Sequence, residues 1–291
     1  MRKQRHSLTI ILWAIVLGFG QIAPALAVPP PAPGKFFLVG LGPAGPEHAT
    51  LKALETIKQA DLILTYPELA EPFQAYLAGK QIYDPWKELW YNPEDKKLKP
   101  EARRTLLAEK TRRRDEFVKE MQVLLAQGKN VALLTGGDPT VYSRAFWLLE
   151  GLPEDQVEVI PGLGSISAAM AALKRAGTGA QGRFVLLTTP ASFFGQREAD
   201  NLARDLSRYE GTLVFYMGLR GFENLVNSLR KFYPADLPVA VVYYAGHQEK
   251  EKVIKGTLSD ILAKTSTETE KWWGLIIVGR CLTGPSFTPG E

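Results

Sequence analysis

The 291-residue chain has one cysteine, three histidines and four methionines. A single cysteine, Cys281, excludes an intramolecular disulfide framework and any Cys-cluster zinc site. Three histidines are too few for a His-rich centre, so no metal is expected. A charge excess is also nearly missing: 35 Lys+Arg stand against 31 Asp+Glu, a formal +4. Gly 26 and Pro 20 follow no collagen period, which removes fibrous classes. Apolar residues are not scarce. At 45% hydrophobic and 23% charged, the chain has enough apolar area to offset the entropy of ordering, so it folds.

The first 27 residues read as a leader. Arg2, Lys3 and Arg5 precede an uncharged apolar run, Leu8 to Phe19, and Ala25-Leu26-Ala27 follows as a small-x-small site. A basic start, a short apolar run and an A-x-A site make a secretory signal peptide, cleaved after Ala27. The alternative is an uncleaved membrane anchor, for which the run is short. In both readings the N-terminal cations stay in the cytoplasm and the rest lies outside it, in the periplasm if the source is a diderm bacterium. Removing those three cations leaves 32 basic against 31 acidic residues, net +1. The basic excess is therefore an address, and a nucleic-acid partner is not expected.

Residues 28–34 form a Pro-rich linker. Beyond it, short apolar runs alternate with amphipathic stretches. Strands are expected at 35–39, 61–65, 131–135, 157–160, 184–188, 212–216, 239–243 and 274–278. Helices are expected at 46–60, with Leu51, Leu54 and Ile57 as its stripe, at 101–127, with Phe117, Met121 and Leu124 to Leu125, and at 167–175. This alternation predicts an α/β fold with largely parallel sheets. Turn-rich Gly151-Leu152-Pro153 and Pro161-Gly162 place a boundary that divides the chain into two α/β domains, 35–155 and 156–285, with a tail at 286–291.

Open α/β sheets bind ligands at the carboxyl ends of their strands. Four such ends carry unusual residues: Gly40-Leu-Gly-Pro-Ala-Gly45, Thr135-Gly-Gly-Asp-Pro139, Ile160-Pro-Gly-Leu-Gly-Ser165 and Tyr216-Met217-Gly218. The first is not a dinucleotide fingerprint, because Pro43 interrupts it and no acid ends the second strand. At the second, a Gly-Gly pair exposes amides beside the Asp138 carboxylate; a plain Asp-capped turn would look the same.

These segments, taken in order, resemble the tetrapyrrole (corrin/porphyrin) methylases, which use S-adenosylmethionine. The resemblance rests on VGLGPAGPEHATLKALETIKQADLIL, VALLTGGDPTVYS, VEVIPGLGSISAAMAAL, GTLVFYMGL, PVAVVYYAGHQEKEKVIKGTLSDI and GLIIVGRCL. It runs from about Phe36 to Leu282. It implies two α/β domains with the active site in the cleft between them, a homodimer, and S-adenosylmethionine bound folded. It places cofactor contacts at Pro43, at Gly136, Gly137, Asp138 and Val141, at Gly164 and Ser165, and at Met217 and Ala245. The C-terminal half resembles the precorrin-4 C11-methyltransferase branch, which implies methylation of a carbon on a corrin- or porphyrin-like acceptor.

The chain also departs from the pattern. The family's first loop ends Gly-Asp where this chain has Ala44-Gly45. The second aspartate of the uroporphyrinogen-III C-methyltransferase branch falls at about Tyr66, a phenolic acid/base candidate. Trp86, Trp90 and Tyr91, followed by ten Lys/Arg and seven Asp/Glu between Glu94 and Glu120, read either as a solvated helix or as a lid. A lid would stack a macrocycle on its aromatics and bind carboxylates with arginines such as Arg113. Tyr91, Arg113 and Phe117 also sit where peptide-backbone N-methyltransferases of this fold carry Tyr, Arg and Tyr. Two alternatives therefore stand beside the tetrapyrrole reading: an N-methyltransferase, and an exported tetrapyrrole- or S-adenosylmethionine-binding protein without turnover.

Overall fold

The structure, a computed structural model, describes residues 32–90, 98–180, 182–195, 199–285 and 287. The leader, most of the linker, Tyr91 and most of the tail lie outside the described residues. Among the described residues no helix is long and apolar enough to cross a membrane.

The first sheet holds β1 (Phe36–Gly40), β2 (Leu62–Leu64), β3 (Gln81–Tyr83), β4 (Val131–Thr135) and β5 (Val157–Ile160), in the order β3-β2-β4-β1-β5. All its ladders are parallel. Such a sheet must be covered on both faces, and the uninterrupted apolar run of β1 says the same. One face packs on α1 (Leu51–Gln59), through Ala53 and Ile57. The other packs on the long α3 (Pro100–Ala126), through Phe117, Met121 and Leu125. The one-turn helix α2 (Trp86–Leu89) lies against α3.

The second sheet holds β6 (Val185–Thr188), β7 (Thr212–Phe215), β8 (Pro238–Tyr243), β9 (Lys252–Thr257) and β10 (Gly274–Val278), in the order β6-β7-β10-β8-β9. α4 (Ser165–Leu173) covers one face with Ala169, Met170 and Leu173. α5 (Ala199–Leu206) and α6 (Phe222–Leu229) help cover the other, through Ala203, Leu225, Val226 and Leu229.

The expectation of two α/β units holds, while three details change. Only β6 and β7 pair in parallel; β10 runs antiparallel to β7 and β8, and β9 antiparallel to β8. The cause is the short connections: Tyr244–Glu251 returns β8 into β9 without a crossover helix, and antiparallel neighbours need none. β3 and β9 were not expected; both are edge strands with mixed polar faces. Finally, β5 pairs with β1, so the first sheet extends past the boundary expected at residue 155.

Candidate active site

β1 sits between β4 and β5, with Gly40 opposite Thr135 and Val39 opposite Ile160. The three loops that follow these strands therefore leave the sheet side by side. Two of them are stitched together. Gly137 N–H donates to the Gly42 carbonyl at 2.6 Å, and Gly42 N–H to the Gly137 carbonyl at 3.2 Å. Both residues have positive φ, +83° and +68°, which glycine adopts without strain. The third loop is wedged beneath: a Cβ on Gly162 would lie 2.2 Å from the Gly137 carbonyl oxygen. Above this seam there is room. A Cβ on Gly136 would meet only Leu69 Cδ1, at 3.8 Å, and one on Gly137 only Ser165 Oγ, at 3.7 Å. Asp138 faces Gly164, whose Cβ would stand 3.9 Å from that of Asp138. One Asp138 oxygen accepts from the Thr140 N–H at 3.0 Å and from its hydroxyl at 2.8 Å. This is the turn-capping role the sequence left open, and it fixes the carboxylate beside the glycines.

The second sheet meets these loops at two points. After β7, the Tyr216 ring packs on Tyr142 with centroids 5.1 Å apart. The Tyr216 hydroxyl is shielded from solvent and closes no hydrogen bond. Burial pushes this phenol's pKa up; the nearby Ile166 amide opposes that, and Tyr142 and Asp138 add to it. Met217 follows with φ +54° and is 62% exposed, so it does not fill the core. A non-glycine residue held there, with its side chain in the open, is a strained conformation that the surrounding loops must hold in place. After β8, Tyr244 has φ +48°, Ala245 is half-buried, and Gly246 has φ +87°. A Cβ on Gly246 would lie 3.2 Å from Pro43 Cγ and 3.4 Å from His48 Cε1. The loop after β1 in one sheet and the loop after β8 in the other thus come close together.

This pattern of loops can be compared with known proteins. Residues 35–262 match the Tetrapyrrole (Corrin/Porphyrin) Methylases. The chain belongs to this family. A cobalt-precorrin-4 C(11)-methyltransferase of Methanocaldococcus jannaschii is 32% identical over 85% of the chain and 88% of its own length. A uroporphyrinogen-III C-methyltransferase of the same organism is 33% identical over 84% and 96%. Among solved structures, a cobalt precorrin-4 methyltransferase of cobalamin biosynthesis superposes with TM-score 0.66 at 22% identity, covering 85% of this chain and 95% of its own. A Thermus thermophilus uroporphyrin-III C-methyltransferase complexed with S-adenosyl homocysteine gives 0.56 at 25%, covering 86% and 99%.

In this methylase, the residues expected on the cofactor side, Pro43, Gly136, Gly137, Asp138, Val141, Gly164, Met217 and Ala245, lie on the loops that follow β1, β4, β5, β7 and β8, and Ser165 opens α4. The residues expected on the substrate side lie elsewhere. Trp86 and Trp90 border a groove of about 280 Å³ with Ser143, Arg144, Phe146 and Trp147. Trp90 is 60% exposed, with the Arg144 guanidinium 4.8 Å from its ring centre. Arg113 is committed to structure. It pairs with Glu88 on α2 and with Glu120 at 3.3 Å and Glu116 at 3.6 Å on its own helix. These carboxylates raise its pKa against the opposing pull of burial. Phe117 is 1% exposed and belongs to the core, stacked on Tyr83. The Tyr-Arg-Tyr resemblance therefore finds no site here: Arg113 ties two helices together, Phe117 is packing, and Tyr91 lies outside the described residues. Tyr66 is half-buried beside a separate recess of about 410 Å³ lined by Thr65, Pro67, Ile82 and Asp84. Burial first, then Glu68 and Asp84, raises its phenol, which stays protonated at neutral pH.

Tyr142, Tyr216, His48 and Gly246 stand inside the motif segments, but the sequence reading gave none of them a contact. An aromatic at the end of β7 and a glycine after Ala245 were visible, but only tertiary contacts give them meaning.

Proposed function

We propose that this methyltransferase transfers the methyl group of S-adenosylmethionine to a carbon of a corrin- or porphyrin-like acceptor, in the cleft where the loops of the two sheets meet. The observation that carries the reading is the open seam over Gly136 and Gly137. It is flanked by the Asp138 carboxylate, the unsatisfied Tyr216 hydroxyl and the exposed Met217. These groups suit the donor: amides and a carboxylate for its amino-acid and ribose parts, a thioether and a phenol for its base. Pro43, Val141, Gly164, Ser165 and Ala245 complete the contact set in this reading. The donor supplies an activated methyl on a sulfonium, so little acid–base chemistry is needed to release it. The protein's work is to hold donor and acceptor in line and keep water out. Trp86 and Trp90, beside Arg144, form the aromatic rim on which a planar acceptor rests; Tyr66 has no step in this scheme.

The names of the relatives favour an acceptor of the precorrin-4 or uroporphyrinogen-III type. We further propose a homodimer, and export by the leader with cleavage after Ala27. Calorimetry with S-adenosylmethionine and S-adenosylhomocysteine tests the core of the proposal. Binding of both is expected, and well-folded protein that binds neither would overturn it. Turnover is then sought with uroporphyrinogen III and cobalt-precorrin-4, by the gain of one methyl mass.

A further inference from the structure

Placing a methyl on a ring carbon leaves a charge to discharge. The C–S bond breaks with its electron pair remaining on sulfur, and a π pair of the acceptor makes the new C–C bond. The acceptor is then one unit more positive, and loss of a ring proton restores it. A proton acceptor near the cleft is required. Gly45 cannot serve, and the Tyr66 phenol is protonated and lies beside a separate recess.

The chain has three histidines, and the leader contains His6. The other two stand at one place, the contact between the first loop and the 244–247 loop. His48 belongs to the turn Pro46–His48. Its Nδ1 is 3.2 Å from Glu47 Oε1. An ionised carboxylate can only accept, so in the neutral ring Nδ1 is the donor and Nε2 keeps the lone pair. That Nε2 is 3.5 Å from the place a Gly246 Cβ would occupy, and the side chain is 25% exposed. His247 is the next residue. Its ring meets Tyr244 and Trp273 edge-on, at 6.0 and 6.1 Å, and its Nε2 is shielded without a hydrogen bond.

We infer that His48 is the proton acceptor of the methylase and that Glu47 positions its ring. The inference rests on the C-methylation reading above. A carboxylate–imidazole pair at the contact between the loops of the two sheets has the parts a general base needs. The surrounding charges suit an imidazole that becomes cationic. Glu47 lies on its own turn, and Glu251 accepts the Gly246 N–H at 2.8 Å on the facing loop. Lys250 there stands over the Tyr244 ring, 5.9 Å away, and Glu270 is engaged by the Tyr244 hydroxyl. Hydrogen bonding, from its own backbone first and then from His48, holds Glu47 below the usual carboxylate range, so it is ionised when its partner needs it.

The test uses the full chain with isotope-labelled histidine, assigned with His48→Gln and His247→Gln. S-adenosylhomocysteine and uroporphyrin III are the probes. The expected result is a shift of the His48 Cε1–H signal when both are bound, and loss of its Nδ1–H tautomer in Glu47→Gln. With the acceptor that turns over, His48→Gln lowers kcat by about a hundredfold or more and removes the acid limb of the pH profile, while S-adenosylhomocysteine affinity stays within about twofold. If both probes bind and the His48 signal does not move, or if His48→Gln keeps kcat within about threefold, the inference is overturned. If S-adenosylhomocysteine does not bind folded protein at all, the functional reading itself fails and the inference falls with it.

Discussion

A methyl group on Gly162 has no space to occupy. Its Cβ would stand 2.2 Å from the Gly137 carbonyl oxygen, 2.9 Å from the Gly40 carbonyl carbon and 3.0 Å from the Gly40 oxygen, and all three are backbone atoms. Gly162→Ala must therefore part the three loops, at about 1–3 kcal/mol or more. Urea denaturation should show this loss, together with weaker S-adenosylhomocysteine binding. Tyr216→Phe argues in the opposite direction. It removes a hydroxyl that closes no hydrogen bond, so the unliganded protein should keep its stability or gain up to about 1 kcal/mol. If the phenol is a ligand donor, affinity for S-adenosylhomocysteine should fall by about fivefold or more. Equal affinity in calorimetry would return Tyr216 to a packing role. The sequence made Gly136, Gly137 and Asp138 legible because their types and spacing carry a motif. The constraint on Gly162 and the orphaned hydroxyl of Tyr216 arise from contacts between distant segments, which no local pattern encodes.

Among the elements, α1 shows how a periodic pattern can be right in kind and rotated in detail. Leu51, Leu54 and Ile57 predict the helix, yet Leu51 is 80% exposed while Ala53, Thr56 and Ile57 are buried. Leu51 is the first residue after the Thr50 cap, outside the turns that face the sheet. α3 was read closely, because its charged and apolar faces alternate over many turns. What its arginines do was not legible. Arg113 looks like a substrate clamp in the sequence and ties α2 to α3 in the structure. Arg113→Gln should therefore lower stability by about 1–3 kcal/mol, because it strands partly buried carboxylates, and leave S-adenosylhomocysteine affinity unchanged. Denaturation and calorimetry on one preparation separate these outcomes. β8 and the turn that leads to it supply a pH signature. Burial pushes Tyr243 up to about 12, with Glu268 and Glu270 adding to it, and burial alone pushes Tyr233 up to about 12. An unfolded tyrosine ionises near pH 10. The native state keeps protons that the unfolded state has released, so stability is whole below pH 10 and falls as pH rises toward 12. Phenolate absorbance and circular dichroism should change together across that window.

For the molecule as a whole, charge and address are one question. The formal +4 becomes +1 once Arg2, Lys3 and Arg5 are set aside, so most of the basic excess lies in the segment for which we propose export. The remaining chain is a two-sheet methylase whose opposite charges nearly balance. Among the exposed pairs are Lys252 with Glu268 at 2.6 Å, Lys264 with Asp260 at 2.7 Å and Arg280 with Asp236 at 3.2 Å. A near-neutral chain has little net charge with which to hold an anionic membrane, so the export proposal rests on the leader. Export carries a chemical consequence. S-adenosylmethionine is made in the cytoplasm, and an exported methylase must meet its donor elsewhere or bind it before translocation is complete. A protein translocated unfolded through a narrow channel has no cleft to carry a ligand, whereas one exported folded does. Fractionation of cells producing the full chain, followed by N-terminal sequencing, tests the proposal at this scale. The expected product begins at Val28 and is found in the exported fraction. A membrane-bound product that retains Met1 would make the apolar run an anchor and place the cleft outside on a tether. A cytoplasmic product that begins at Met1 would overturn export and put the cleft within reach of the ordinary donor pool. Mass analysis of ligand released from the purified exported protein then decides how the donor travels: S-adenosylmethionine or S-adenosylhomocysteine retained in the folded product is expected if it is exported folded.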